Sequence, residues 1–426
     1  MKLTEMSKAQ LAQFKEQVQG EYDKFKTQNL KLNMARGKPS AEQLDLTEGL
    51  LSAVTKNSDC YAEDGTDCRN YGGLDGLPEA KKLFAPMLGV APEELIVCGN
   101  SSLNIMYDTI AKFMLFGTGD GEKPWKDCGK IKWLCPVPGY DRHFLVTEKM
   151  GFEMINIPMD ENGPDMDMIE KLCAEDESIK GIWCVPMYAN PTGITYSDEV
   201  VKRFAAMKPK APDFKIFWDN AYCIHHLTDT PDSLLNILDE CEKAGNPDRV
   251  YLFASTSKIT YSGAGVAMLA SSAKNVEYIK SMLNAQTIGY DKLNQLRHVR
   301  FFKDYEGLVQ HMDKHRQVIA PKFRVVLDAL ESEIAPLGIG EWKKPNGGYF
   351  ISFDALDGCA KRICELCKEA GVVLTGAGAT YPYGKDPHDS NIRIAPTYPP
   401  VHELELAVKL FTVAVKLASA EKLLEK

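Results

Sequence analysis

The strongest constraint on this chain is a series of short, almost uninterrupted apolar runs. They are Leu95-Ile96-Val97-Cys98, Ile131-Lys132-Trp133-Leu134-Cys135, Ile182-Trp183-Cys184-Val185, Ile216-Phe217-Trp218, Val250-Tyr251-Leu252-Phe253 and Val266-Ala267-Met268-Leu269. A strand with one wet face alternates apolar and polar residues, whereas a strand covered on both faces is apolar at consecutive positions. Helical stretches, among them 101–115 and 198–207, lie between the runs. Buried strands alternating with helices predict an α/β fold built on a large, mostly parallel sheet.

The two ends carry a different pattern. Residues 7–29 open with a Ser7 cap and place Leu11, Phe14, Val18, Tyr22 and Phe25 at helical spacing, an amphipathic helix that must dock on something. A helix-rich stretch over 292–335 leads to the turn Lys344-Pro345-Asn346-Gly347-Gly348 and the alternating strand Tyr349-Phe350-Ile351-Ser352-Phe353. A cysteine-bearing helix, a short strand, a Gly-rich loop and a final helix over 401–425 follow. The expected division is an arm at 1–47 that joins the small domain, a large domain at 48–311, and a smaller α+β domain at 312–426. Residues 117–129, rich in Gly and charge around Pro124-Trp125, are expected to form a surface loop.

Composition removes several classes of function. With 44% hydrophobic and 26% charged residues the chain is neither disordered nor low-complexity. No run approaches the ~18 apolar residues of a membrane helix, and no secretory leader pattern opens the sequence. A net charge of −9 argues against nucleic acid or anionic membrane as a partner. The 12 scattered cysteines are expected to be reduced in a cytoplasmic protein. Cys359, Cys364 and Cys367 mimic part of an iron–sulfur spacing, but Ile363, Leu366 and Cys367 share a helical face that Gly371 ends, so a core helix is expected. His311 and His315 lack the adjacent Glu of a zinc helix and are expected on a solvated face, so no metal is predicted.

In such sheets ligands bind beyond the carboxyl ends of the strands. There the successive runs deliver Gly99-Asn100-Ser101-Ser102; then Tyr140 and His143; then Tyr188 and Asn190; then Asp219 and Tyr222; then Ser255, Ser257 and Lys258. A helix-entry Gly/Ser turn suits a phosphate. A lysine forms a Schiff base with an aldehyde, and a carboxylate beside a ring nitrogen keeps it protonated so that the ring withdraws electrons. With an aromatic plate to stack on the ring, this is the set that pyridoxal phosphate needs.

In the same stretches the sequence resembles the fold-type I pyridoxal-phosphate enzymes, specifically the class I aminotransferases and the aspartate aminotransferase-like subgroup called type Ic. Matching segments run from Leu32-Asn33-Met34-Ala35-Arg36-Gly37 to Asn391-Ile392-Arg393-Ile394-Ala395-Pro396. They include Ala189-Asn190-Pro191-Thr192-Gly193 and Ser255-Thr256-Ser257-Lys258. The resemblance implies that Lys258 carries the Schiff base, that Asp219 pairs with the pyridine nitrogen backed by His143, and that Asn190 and Tyr222 bond the phenolic oxygen. It implies that Tyr140 stacks on the ring and that Ser101, Ser102, Ser255 and Ser257 line the phosphate. Tyr71 would reach the phosphate of a neighbouring subunit, which implies a homodimer with active sites at its interface. Arg393 would grip the substrate α-carboxylate, with Gly37 and Asn190 also at the substrate, and Arg36 or Arg297 would read a distal carboxylate.

One departure stands out. Class I enzymes usually carry a phosphate-binding arginine about eight residues after the Schiff-base lysine, and Ile259-Thr260-Tyr261-Ser262-Gly263-Ala264-Gly265-Val266 holds no basic residue. The implied reaction is a ping-pong transfer of an amino group between an L-amino acid, aspartate or glutamate first, and a 2-oxo acid. Alternatives on the same scaffold are β-elimination by a carbon–sulfur lyase and a transaminase for alanine or aromatic amino acids. An effector-sensing regulator would need a separate basic DNA-binding domain, which the single acidic-to-neutral helix before Leu32 is not expected to supply. A nicotinamide dehydrogenase would need a Gly-x-Gly-x-x-Gly that Gly263-Ala264-Gly265 does not complete.

Overall fold

A computed structural model describes residues 2–119 and 121–425. Its centre is an eight-stranded sheet in the spatial order Leu95–Val97, Ala267–Ala270, Val250–Ser255, Lys215–Asp219, Ile179–Cys184, Lys132–Val137, Glu153–Asp160 and Gly163–Pro164. The five strands from Val250–Ser255 to Glu153–Asp160 run parallel, and antiparallel strands close both edges. Every residue of the Ile179–Cys184, Lys215–Asp219 and Val250–Ser255 strands is buried, which is why these runs lack alternation.

The pleat sends Trp133, Trp183, Phe217, Tyr251 and Phe253 to one face and Leu134, Ile182, Ile216, Trp218 and Leu252 to the other. On the first face the Phe217 ring meets Trp133 and Trp183 at 5.2 Å each and Phe253 at 5.3 Å. Gly181 makes room for this cluster, since a Cβ there would stand 2.4 Å from Trp133. The stretch 117–129, whose residue 120 lies outside the described residues, is largely an exposed loop as expected, but one side chain in it is anchored in this cluster. Trp125 is fully buried against Phe113 and Trp133, with its Nε1 donating to Asp213 Oδ2 at 2.9 Å.

The second core joins the chain ends. The helix Lys8–Lys26, capped by Ser7, lies on the final helix Val401–Leu424 and buries Leu11, Val18 and Tyr22 there. Strand Leu32–Asn33 pairs in parallel with Val372–Val373, beside a three-stranded antiparallel sheet of Gly340–Trp342, Ile351–Ala355 and Asn391–Ile394. Helix Ala360–Glu369 buries Ile363, Leu366 and Cys367, so the cysteine spacing marks a core helix as expected. The long helix Tyr305–Glu333 serves both cores: Leu308 and Met312 pack with the large sheet, and Ile319, Phe323, Val326 and Leu330 pack with the smaller unit. Its His311 and His315 are buried, not solvated. His311 Nε2 lies 2.8 Å from the Ile259 carbonyl and 3.0 Å from His315 Nε2, and His315 Nδ1 lies 3.0 Å from Gln43 Nε2. No described helix is long and apolar enough to cross a membrane.

Candidate active site

The carboxyl edge of the sheet is built strand by strand. Asp219 ends its strand buried, and its Oδ2 lies 2.9 Å from His143 Nε2. His143 is held by the helix Asp141–Lys149, stacked on Trp183 at 4.4 Å and 12°. The other Asp219 oxygen, Oδ1, is buried with no hydrogen-bond partner. Tyr140 packs edge-on against His143 at 4.9 Å, and its hydroxyl is pushed up to about 12 by burial and then by the Asp141 and Asp219 carboxylates.

One strand further, Ser255 ends the sheet and the chain turns back on Thr256, whose carbonyl accepts from the amides of Ile259 and Thr260. This turn presents Lys258, and the Lys258 carbonyl accepts from the Tyr349 hydroxyl at 3.3 Å. The amine lies 4.9 Å from the Tyr222 ring centre and 5.8 Å from that of Tyr349. Burial lowers the Lys258 pKa from its ordinary value; Asp219 opposes the shift and Arg393 adds to it. Burial raises the Tyr222 hydroxyl well above its ordinary value.

The Ser255 and Ser257 hydroxyls lie 3.0 Å apart, and Ser257 Oγ donates to the Asn100 carbonyl at 3.4 Å, joining the lysine turn to the Gly99–Ser102 turn. There Ser101 caps the helix Ser102–Phe116, accepting from Asn104. Hydroxyls and a helix N-terminus thus line one end of the site. On the opposite wall Asn190 sits in a turn closed by the Gly193 amide on the Ala189 carbonyl, with Gly193 at φ +71°. The Asn190 side-chain oxygen accepts from Arg393 Nη1 at 3.3 Å. Arg393 lies on the strand Asn391–Ile394, only 6% exposed, its guanidinium 4.9 Å from the centre of the Phe350 ring.

These groups open into a cleft of 290 Å³ lined by Arg36, Gly37, Tyr140, Asn190, Tyr222, Ser257, Lys258 and Arg393 among others. Arg297, one of the two arginines expected at a distal carboxylate, belongs to the helix Lys292–Phe302, outside the lining of the cleft. Tyr71, expected to act on a neighbouring subunit, is 81% exposed. Lys38, Asp141, Arg142, Ser262 and Phe350 also line the cleft and were not singled out from the sequence. Asp141 and Arg142 stand between two residues that were, but a charged pair opening a helix has the look of a solvated first turn. No group of metal-ligating side chains occurs among the described residues.

A buried carboxylate oxygen without a partner, a desolvated lysine and a hydroxyl-lined helix entry fit pyridoxal phosphate: they answer its ring nitrogen, its aldehyde and its phosphate. The fold and site define a fold-type I pyridoxal-phosphate enzyme. The family profile described as aspartate amino-transferase matches residues 6–426, and the chain belongs to that family. It is a pyridoxal-phosphate-dependent aminotransferase acting on small amino and 2-oxo acids. An aspartate aminotransferase of Corynebacterium glutamicum is 48% identical over 408 residues, covering 96% of this chain and 94% of its own. The crystal structure of an aspartate transaminase from Corynebacterium glutamicum superposes with a TM-score of 0.97 at 47% identity over 99% of both chains. An α-aminoadipate aminotransferase from Thermus thermophilus, at 21% identity and a TM-score of 0.75 over 92% of this chain and 93% of its own, shares the fold.

Proposed function

We propose that this aminotransferase exchanges the amino group of aspartate or glutamate with the matching 2-oxo acids in a two-stroke, ping-pong cycle. The observation that carries the reading is the charge of the cleft. Arg393, Arg36, Lys38 and Arg142 line it against the single carboxylate of Asp141, an excess of cations suited to a ligand with two carboxylates. The 48% identity to an aspartate aminotransferase supports the same choice.

Bound pyridoxal phosphate supplies an aldehyde that condenses with amines and a ring that draws electrons from the substrate α-carbon. Lys258 would hold the cofactor through its aldehyde, and its amine, once free, would move the α-proton as base and then acid. Burial lowers the Lys258 pKa, the direction that favours the neutral amine a base requires. Asp219 Oδ1, buried without a partner, would accept from the ring N–H, while His143 fixes the other oxygen. Asn190 and Tyr222 would hydrogen-bond the phenolic oxygen, Tyr140 would stack on the ring, and Ser101, Ser102, Ser255 and Ser257 would hold the phosphate. Arg393 takes the α-carboxylate through its planar fork.

A homodimer belongs to the same reading. Tyr71 is exposed, and so are the large apolar residues Leu51, Phe116 and Ile288; a second copy that covered such residues would let Tyr71 reach its phosphate. The test pairs Lys258→Ala with a donor screen. Lys258→Ala is expected to abolish both turnover and the visible absorption of the holoenzyme. Aspartate with 2-oxoglutarate is expected to exceed alanine by at least about tenfold in kcat/KM. Equal rates with alanine, or pyruvate and ammonia released from cysteine-like substrates without an acceptor, would overturn the substrate assignment.

A further inference from the structure

Arg393 is not idle in the cleft. Its Nη1 donates to Asp141 Oδ1 at 2.8 Å and to the Asn190 oxygen at 3.3 Å, while its Nε is buried without a partner. Asp141 is the first residue of the helix Asp141–Lys149, its side chain 31% exposed on the cleft wall. Resting on the reading of Arg393 as the α-carboxylate ligand, we propose that Asp141 is an internal competitor for the substrate. Its carboxylate has the same chemistry as the group Arg393 binds, and every amino or oxo acid must displace it to gain the full fork.

Two features make the displacement feasible. A guanidinium presents five N–H donors in one plane, and a carboxylate fork takes two neighbouring ones. Nε is buried, so the fork a ligand can reach is the Nη1–Nη2 edge; Asp141 holds Nη1, and an incoming carboxylate meets Nη2 first and completes the fork as Asp141 leaves. The released carboxylate also has a second cation at hand, since Asp141 Oδ2 already lies 3.9 Å from Arg142 Nε. Asn190, being neutral, stays as an acceptor throughout. Because the contest is at the α-carboxylate, it weakens all substrates alike and does not choose among side chains. Asp141 thus sets KM, and is a positioning residue for Arg393.

The experiment uses the holoenzyme with Asp141→Asn, and Asp141→Ser as a second variant, against succinate as a non-reacting dicarboxylate. Loss of one partly exposed carboxylate contact predicts succinate bound about three- to tenfold more tightly, with KM for aspartate and for alanine falling by the same factor and kcat unchanged within about twofold. The gain is expected to persist at 0.5 M NaCl, roughly, because a direct contact is screened far less than a field across solvent. Unchanged or weaker succinate binding in both variants overturns the proposal, and so does a gain that disappears in salt. Arg393→Ala separates the two readings. If it binds succinate like the parent, the carboxylate role of Arg393 and the competitor both fall; if it loses binding while Asp141→Asn gains nothing, only the competitor falls.

Discussion

His143 Nε2 and Asp219 Oδ2 stand 2.9 Å apart in a wall closed by Trp183, so the carboxylate is fixed with its second oxygen free and buried. A desolvated carboxylate oxygen is costly unless a charged donor meets it, and the ring N–H of the cofactor is the donor this geometry fits. Asp219→Asn is therefore expected to lower kcat by about a thousandfold or more, since the ring loses its matched charge. His143→Leu leaves that charge and removes only its orientation, with an expected loss of about ten- to a hundredfold. Steady-state kinetics with cofactor affinity measured by absorbance checks both, and equal losses would contradict the division of labour.

Gly37 makes room for the Phe350 ring that packs on Arg393. A Cβ at this position would lie 2.5 Å from Phe350 Cζ and 2.8 Å from its Cε1, and that ring supports the Arg393 guanidinium. Gly37→Ala must push the ring, and the guanidinium with it. The expected outcome is a KM raised about tenfold for aspartate and alanine alike, because a misplaced Arg393 affects every α-carboxylate. A rise confined to aspartate would place the effect at the distal carboxylate instead.

The distal carboxylate is tested by comparing two arginines. Arg36 lines the cleft and Arg297 does not. Arg36→Ala is expected to cost aspartate and 2-oxoglutarate about ten- to a hundredfold in kcat/KM while leaving alanine little changed. Arg297→Ala is expected to leave the aspartate-to-alanine ratio within about twofold of the parent. A selective loss of aspartate in that variant would place Arg297 in the cleft of the second copy.

What could be seen in the sequence was the sheet and the groups at its mouth. Strands buried on both faces leave consecutive apolar runs, and Asp219 and Lys258 stand directly at or after their ends, so local pattern and ligand edge coincide. Burial decided by distant partners left no local trace. Trp125 sits among Gly and charged residues, yet a cluster of sheet aromatics and Asp213 enclose it. His311 and His315 look polar at helical spacing, but the Ile259 carbonyl and Gln43 that satisfy them come from far along the chain. The contact of Asp141 with Arg393 spans the two cores in the same way.

The buried histidines give the protein a defined acid response. Burial lowers His225 well below its ordinary value, lowers His311, and brings His298 to about 4 and His315 to about 3. In the unfolded chain each titrates near 6.5, so between that value and the lowered native one the unfolded state binds more protons than the folded state. Stability therefore rises with pH across this window. It is fully present above about 6.5 and is lost as pH falls toward 4 for His298 and toward 3 for His315. Each histidine contributes a slope of up to about 1.4 kcal/mol per pH unit there. His298 donates from Nδ1 to the Asn294 carbonyl and accepts at Nε2 from Thr260, a pair of bonds that suits the neutral ring. Urea unfolding at pH 7, 6 and 5, roughly, is expected to show a falling midpoint, and His298→Gln a shallower fall by up to one proton's slope. Parallel slopes for parent and variant would show that His298 takes up no proton on unfolding.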